Sequence, residues 1–400
     1  MKLNEGKILL GAIYVILVII VSFRIIVHPT CYTTPDSIAY LKQGEKIKNA
    51  ITQGGIFTTI HEVKEGYTLW PVGYSYCTAL VSIVTKTSML TSSKIVNLTF
   101  LGLLFVLLYN WFGNKTWFLA LTFFSYGSME VISETWSETP FIFFVFLLGY
   151  IIANDRRYSS IPLTFALTAT LVLLFLYRYI GIVYLLMVAT VAIRHYMHRK
   201  KNWQAYVFAL ILSSIFVFYY LYGNKLNSGY YTGGERIFIG HQGFFEFLWQ
   251  LIQGLFNEFS IARNYSFKGG AADLPFIFLL ILQFVVIFYL VMNKSYLKSP
   301  IVLGKATKVL LILSAGYLAC IVMLRIFIPF DNFDFRIFFP FTVPLFIGML
   351  SIIIENSQKD YFRKVSWIIV FFMLLSLTVN LPKTYILESI KNIFTSNTGI

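Results

Sequence analysis

Apolar positions in this chain fall into long runs, near residues 8–27, 71–85, 93–110, 116–132, 139–153, 160–177, 180–193, 204–222, 274–292, 307–327, 337–354 and 365–381. Their lengths suit helices that cross a bilayer. If all twelve crossed with the N-terminus inside, four basic clusters would land outside: Asp155-Arg156-Arg157, His198-Arg199-Lys200-Lys201, Lys294 with Lys298, and Lys359 with Arg363 and Lys364. Short loops rich in Lys and Arg belong on the cytoplasmic side. Removing one early crossing puts every cluster inside. The weakest run is 71–85, which is short, opens Pro71-Val72-Gly73-Tyr74 and carries Ser, Cys and Thr. It is expected to lie in, or dip into, the outer interface.

The expectation is therefore an all-α polytopic membrane protein with about eleven transmembrane helices plus outer juxtamembrane helices, residues 1–400 forming a single integral membrane domain. Outer loops are expected at about 28–91 and 223–273, with a short outer turn at Pro329–Arg336. The tail from Pro382, with Tyr385, Ile386, Ile390 and Ile393 at roughly helical spacing, is expected outside, where it suits an interfacial helix. The basic opening Met1–Lys7 resembles a signal sequence, but residues 8–27 make a full-length span with no small-residue cleavage site after it. It reads as a retained first helix.

Composition agrees. The chain is 58% hydrophobic and 12% charged, with a mean hydropathy of +0.72, more apolar surface than a soluble protein of 400 residues can hide. The 40 Phe and 26 Tyr suit lipid-facing surfaces and interfacial belts. The net charge of +14 is assigned to cytoplasmic anchoring, not nucleic acid, because no basic-aromatic binding module is visible. Three cysteines give no disulfide framework; Cys31 and Cys77 fall on one side, which leaves a pairing open, and Cys320 reads as a small core residue.

The outer loops are long and hold acids, aromatics and glycines, so the outer face is expected to carry function. Asp36, in Thr34-Pro35-Asp36-Ser37-Ile38-Ala39-Tyr40, is the leading candidate. Pro35 suits a first helical position and Asp36 a first turn, so an ordinary helix-start acid is one reading; a general base at the membrane surface is the other. Glu134 and Glu138, four apart in Ser133–Pro140, are either dipole-favourable acids beside a Ser137 helix cap, or one of them orients an acceptor or cation. Arg178, in the tight turn Tyr177-Arg178-Tyr179-Ile180-Gly181, opposes the usual charge bias. It either snorkels to headgroups or forks a phosphate, and Arg336 poses the same choice. Arg263 and Lys268, beside aromatics and Gly269-Gly270, suit a phosphate or an ordinary interfacial loop. Asp331 with Asp334, and His61 with Glu62 and Glu65, are weak metal patterns and form no zinc-type cluster.

In their order along the chain these segments resemble the multi-pass GT-C glycosyltransferases, and among them the bacterial proteins similar to dolichyl-phosphate-mannose-protein mannosyltransferases and lipid A aminoarabinose transferases. The resemblance rests on Pro35–Leu41, Leu69-Trp70-Pro71-Val72-Gly73-Tyr74, Ser137-Glu138-Thr139-Pro140, Arg178-Tyr179, and Arg336–Pro340 leading to Pro344. It implies a polyprenyl-phosphate sugar donor and an acceptor hydroxyl on a glycan, lipid or protein. It also implies Asp36 as base and Arg178 and Arg336 about the donor phosphate; Glu138 stands as a second catalytic candidate, Arg263 and Lys268 as further donor-phosphate candidates, and Tyr40, Tyr74 and Tyr179 as substrate-positioning candidates. No cofactor is assigned, and a divalent cation stays open. Many relatives carry two adjacent acids where this chain has Asp36-Ser37. The setting implied is the plasma (inner) membrane, with chemistry on the extracytoplasmic face. The rival classes are a flippase or transporter of lipid-linked saccharides and an O-antigen-type polymerase. A transporter predicts charges deep in spans and internal repeats; Arg325, the nearest such charge, reads as snorkelling, and no duplicated halves are visible.

Overall fold

The structure, a computed structural model, describes residues 3–54, 70–232, 243–262, 274–293, 300–328 and 333–381. Every regular element among them is helical. Helix α1 (Leu3–Val27) leads to α2 (Pro35–Gly54), α3 (Gly73–Thr85) and α4 (Met89–Phe112). A broken stretch follows: α5 (Thr116–Ala120), a 3-10 turn at Leu121–Phe124, and α6 (Tyr126–Ser133). Then come α7 (Glu138–Ala153), α8 (Ser160–Tyr177), α9 (Val183–Met197), α10 (Trp203–Ser228), α11 (Phe244–Phe259), α12 (Leu274–Met292), α13 (Lys305–Phe327), α14 (Phe335–Asn356) and α15 (Lys359–Val379).

Among the described residues, eight helical stretches are long and apolar enough to cross a membrane, or nine counting the α6–α7 pair, which bends by 115°; Leu274–Leu290 is a shorter apolar helix. The chain is a multi-pass membrane protein. Contacts between helix ends order the traverses. Lys115 at the start of α5 donates to the Ile354 carbonyl at the end of α14, 3.2 Å away. At the far side of the same stretch, the Ser133 carbonyl accepts from Lys94 at the start of α4, 2.7 Å away. The broken α5–α6 stretch thus runs the full depth of the bundle. Likewise, Tyr361 near the start of α15 reaches the Leu290 carbonyl in α12, and Arg24 near the end of α1 reaches the Asn380 carbonyl past the end of α15. Traced this way, α1, α4, α5–α6, α7, α8, α9, α10, α12, α13, α14 and α15 alternate in direction, in agreement with about eleven crossings.

Residues 71–85 do not cross. Helix α3 lies at one end, packed between α2 and the start of α4, with Tyr74 Oη on the Ser93 carbonyl and Gly73 against the end of α8. We call this the site end. The opposite, basic end carries Lys115, Arg156, Arg157, Lys200, Lys201, Lys305 and Lys359.

Helix α14 lies at the centre beside α13 and contains Pro340 and Pro344. Each proline removes an N–H, which hydrocarbon cannot replace. Neighbouring carbonyls on Ile337 and Phe341 accept from Tyr317 Oη (3.1 Å) and Ser314 Oγ (2.8 Å) on α13, which ties the interrupted helix to its partner. One expectation fails here: Arg325 is buried, with Gln250 Oε1 3.5 Å away and the Phe333 ring beneath it, so it does not snorkel. Cys31, Cys77 and Cys320 are all free thiols, and the Cys31–Cys77 pairing is absent.

Candidate active site

Three local devices and one long-range bond place the candidate residues. Pro35 opens α2, and Thr34 Oγ1 accepts from the Ser37 amide (3.3 Å), so Asp36 sits in the first turn. Trp136 Nε1 donates to the same Thr34 hydroxyl (2.9 Å), which joins the start of α2 to the turn before α7. Asp334 caps α14 by accepting from the Ile337 amide (3.0 Å), which fixes Arg336 in that helix's first turn. Arg178 is the extended break after α8, and its carbonyl accepts from the Gly181 amide (2.8 Å).

These turns meet in one chain of charges. Arg336 donates from Nη1 to Asp36 Oδ2 and from Nε to Glu138 Oε1, the latter at 2.5 Å. Arg178 Nη1 pairs with the same Glu138 oxygen at 2.8 Å. Residues separated by as many as 300 positions thus share one cluster. Its exposures are unequal: the Glu138 side chain is fully buried, those of Arg336 and Arg178 are 12% and 17% exposed, and that of Asp36 is 29% exposed. Asp36 is the carboxylate that solvent or a substrate can reach. Arg336 lies between two indoles, 4.8 Å from the Trp136 ring and 5.6 Å from Trp70, and Arg178 lies over Phe141. Aromatic faces favour the guanidinium charge while excluding water.

The tyrosines separate. Tyr40 is buried, its hydroxyl 3.0 Å from Ser137 Oγ and its ring edge-on to Tyr74 at 5.1 Å. Burial pushes its phenol up to about 12, so it stays protonated. Tyr74 is fully enclosed and bonded to the Ser93 carbonyl, so it supports Tyr40 from below. Tyr179, which follows Arg178, accepts from Asn224 Nδ2 on α10 at 3.1 Å. Arg263, Lys268, Asp331, His61, Glu62 and Glu65 lie outside the described residues, as does the tail from Pro382. Among the described residues, no group of three or more His, Cys, Asp or Glu gathers as metal ligands. The cation that bridges Asp36 and Glu138 is the Arg336 guanidinium.

A second charged network backs the first. Arg24 binds Glu130 and donates to Tyr32 Oη (2.7 Å). Lys94 Nζ donates to the carbonyls of Tyr32 (3.0 Å) and Ser133 (2.7 Å), and Asn97 Nδ2 to that of Glu134 (2.7 Å). This network holds the 133–137 turn, which presents Glu134 and Glu138 to the site end. Burial pushes the Glu134 carboxyl up to about 7, with the Lys94 charge opposing. Sequence reasoning missed Arg24, Lys94 and Glu130, although the signal existed: Arg24 and Lys94 are charges inside apolar runs. It also missed Glu258 in α11, buried against Thr342 Oγ1 (2.7 Å), whose carboxyl burial pushes up to about 8.

No family model matches the sequence, and no curated protein matches it. The structure is similar to the crystal structure of ArnT from Cupriavidus metallidurans in the apo state, with a TM-score of 0.54 and 14% identity. The match covers 91% of this chain and 62% of that one. The fold is therefore ArnT-like: an all-helical, polytopic membrane architecture. At this identity the likeness is one of fold.

Proposed function

We propose that this chain is a membrane glycosyltransferase that moves a sugar from a polyprenyl-phosphate donor to an acceptor hydroxyl, with Asp36 as general base. The observation that carries the reading is the Asp36–Arg336–Glu138–Arg178 cluster, with its one reachable carboxylate, at one end of an ArnT-like fold. In the proposed reaction the acceptor oxygen attacks the anomeric carbon while its proton passes to the Asp36 carboxylate. The bond from that carbon to the phosphate oxygen breaks, and the lipid phosphate leaves. A single displacement inverts the anomeric centre.

Arg178 and Arg336 suit the leaving phosphate because guanidinium pairs with phosphate through parallel N–H groups. Glu138, enclosed and paired with both, acts as a positioning residue: it fixes the two guanidiniums before the donor arrives. Tyr40 and Tyr74 shape the floor of the site, and Tyr179, next to Arg178 and bonded to Asn224 on α10, keeps its proposed role in positioning substrate. Arg263 and Lys268 keep their proposed role at the donor phosphate on sequence grounds. The lipid tail would lie against the helices with its phosphate at the site end. The basic residues at the opposite end favour a site end facing away from the cytoplasm, which in a bacterium is the outer side of the inner membrane. The acceptor is a hydroxyl on a glycan, lipid or protein.

The test is sugar transfer from labelled polyprenyl-phosphate sugars by purified protein, wild type against Asp36→Asn. Wild-type transfer that falls by about 100-fold or more in a folded variant supports a base at Asp36. Transfer that survives the substitution removes Asp36 from the chemistry, and no transfer from any donor favours the flippase or polymerase readings.

A further inference from the structure

The basic end holds a cavity of about 460 Å³ that the proposed transferase chemistry does not use. Arg156, Lys200, Lys201, Ser159, Ser160 and Asp155 line it. Asp155, its sole carboxylate, is buried and already committed: it pairs with Lys305 Nζ at 2.8 Å and faces His195 Nε2 at 3.6 Å. Arg156, Lys200 and Lys201 are exposed and form no ion pair among the described residues. The cavity is therefore strongly positive.

Two further features point the same way. Helix α8 begins at Ser160, and its N-cap residue, Ser159, makes no side-chain cap, which leaves that hydroxyl uncommitted to the helix. The turn that supplies the two lysines is held tightly: Arg199 sits at φ 49, and the Lys200 amide donates to the His195 carbonyl at 2.9 Å. Directly beyond the rim, Ile161 and Phe165 on α8 are 83% and 75% exposed, and Ile193 and Met197 on α9 are exposed as well. In a membrane-spanning bundle these face acyl chains.

We infer that this cavity is a binding site for the phosphate headgroup of an anionic membrane phospholipid. Arg156, Lys200 and Lys201 contact the phosphate, Ser159 and Ser160 supply neutral donors, and the acyl chains lie along Ile161 and Phe165. Basic pockets where helices leave the bilayer select anionic headgroups in this way. The inference does not depend on the transferase reading, since the site lies at the opposite end of the bundle.

The test uses the full chain in lipid nanodiscs of phosphatidylcholine with a minority of phosphatidylglycerol, with retained lipid counted by native mass spectrometry after release. Wild type is expected to retain phosphatidylglycerol over phosphatidylcholine. The triple variant R156Q/K200Q/K201Q is expected to lose that enrichment by roughly fivefold or more, about the effect of one cation near an anionic surface. A control, K359Q/R363Q/K364Q, removes three charges at the same end outside the cavity and is expected to keep it. Ser159→Asp, a single exposed change, is expected to reproduce the loss and decides the matter if the triple variant does not fold. Equal enrichment in wild type and cavity variants overturns the proposal, as does equal loss in the control. Inorganic phosphate separates the sources: displacement of bound lipid only by anionic lipid supports the headgroup site, whereas phosphate binding without lipid enrichment overturns it.

Discussion

Substituting Glu138→Gln tests the central feature of the site, a fully buried carboxylate that holds two guanidiniums. Glu138 accepts from Arg336 at 2.5 Å and pairs with Arg178 at 2.8 Å. Hydrogen bonds to charged groups contribute about 1.5–3 kcal/mol each. The amide keeps one acceptor oxygen but loses the charge. Arg336 retains Asp36, whereas among the described residues Arg178 retains the face of Phe141. Leaving one member of a buried pair uncompensated costs roughly 3–5 kcal/mol. Because Arg178 is 17% exposed and the amide still accepts, the lower end applies, about 3 kcal/mol. The assay is reversible SDS unfolding in mixed micelles of wild type, Glu138→Gln, Arg178→Gln and the double variant. The double variant should be less destabilised than the sum of the singles by about 1–3 kcal/mol, because the second change removes a cation already stranded. A Glu138→Gln stability within about 0.5 kcal/mol of wild type, or strict additivity, would refute the claim that Glu138 positions both arginines.

Glu134 supplies a pH signature. Its carboxyl is raised from 4.5 to about 7, so between those values the folded state binds the extra proton and stability falls as pH rises; above about 7 the contribution is flat. Unfolding midpoints from pH 4 to 8 should show this decline in wild type and not in Glu134→Gln; parallel curves would count against it. Gly181 lies where a Cβ would collide with the Leu174 backbone, in the turn that presents Arg178. Gly181→Ala should lower stability by about 1–3 kcal/mol and raise the donor KM more than it lowers kcat; an unchanged KM would uncouple that turn from donor binding. Tyr74→Phe should cost about 1 kcal/mol through the lost bond to the Ser93 carbonyl and leave transfer near wild type, whereas a large loss of activity at full stability would mean that Tyr74 touches substrate.

The sequence by itself determined the class of architecture, because bilayer crossing is a local property: a run of apolar residues either spans hydrocarbon or does not, and basic clusters orient it. It also settled that residues 71–85 stay at one end, since Pro71, Gly73 and the hydroxyl residues after them cannot fill a span, and that Pro35 starts a helix with Asp36 in its first turn. The broken path through 116–133 was legible only as an apolar run; its division at Leu121–Phe124 depends on packing chiefly against α15, whose Ser376 Oγ donates to the Phe124 carbonyl, and on α1 and α14. What only the tertiary structure decided is which charges meet. Asp36, Glu138, Arg178 and Arg336 each had a bland local reading as a helix-start acid, a cap or a snorkelling cation. Their pairing required four turns from distant parts of the chain to converge. The same holds for Arg24 with Glu130 and for Arg325 beneath the surface, where burial replaced the expected reach to headgroups. Hydrophobicity acts residue by residue and can be read along the chain; electrostatic pairing acts between neighbours in space, and the neighbours are set by the fold.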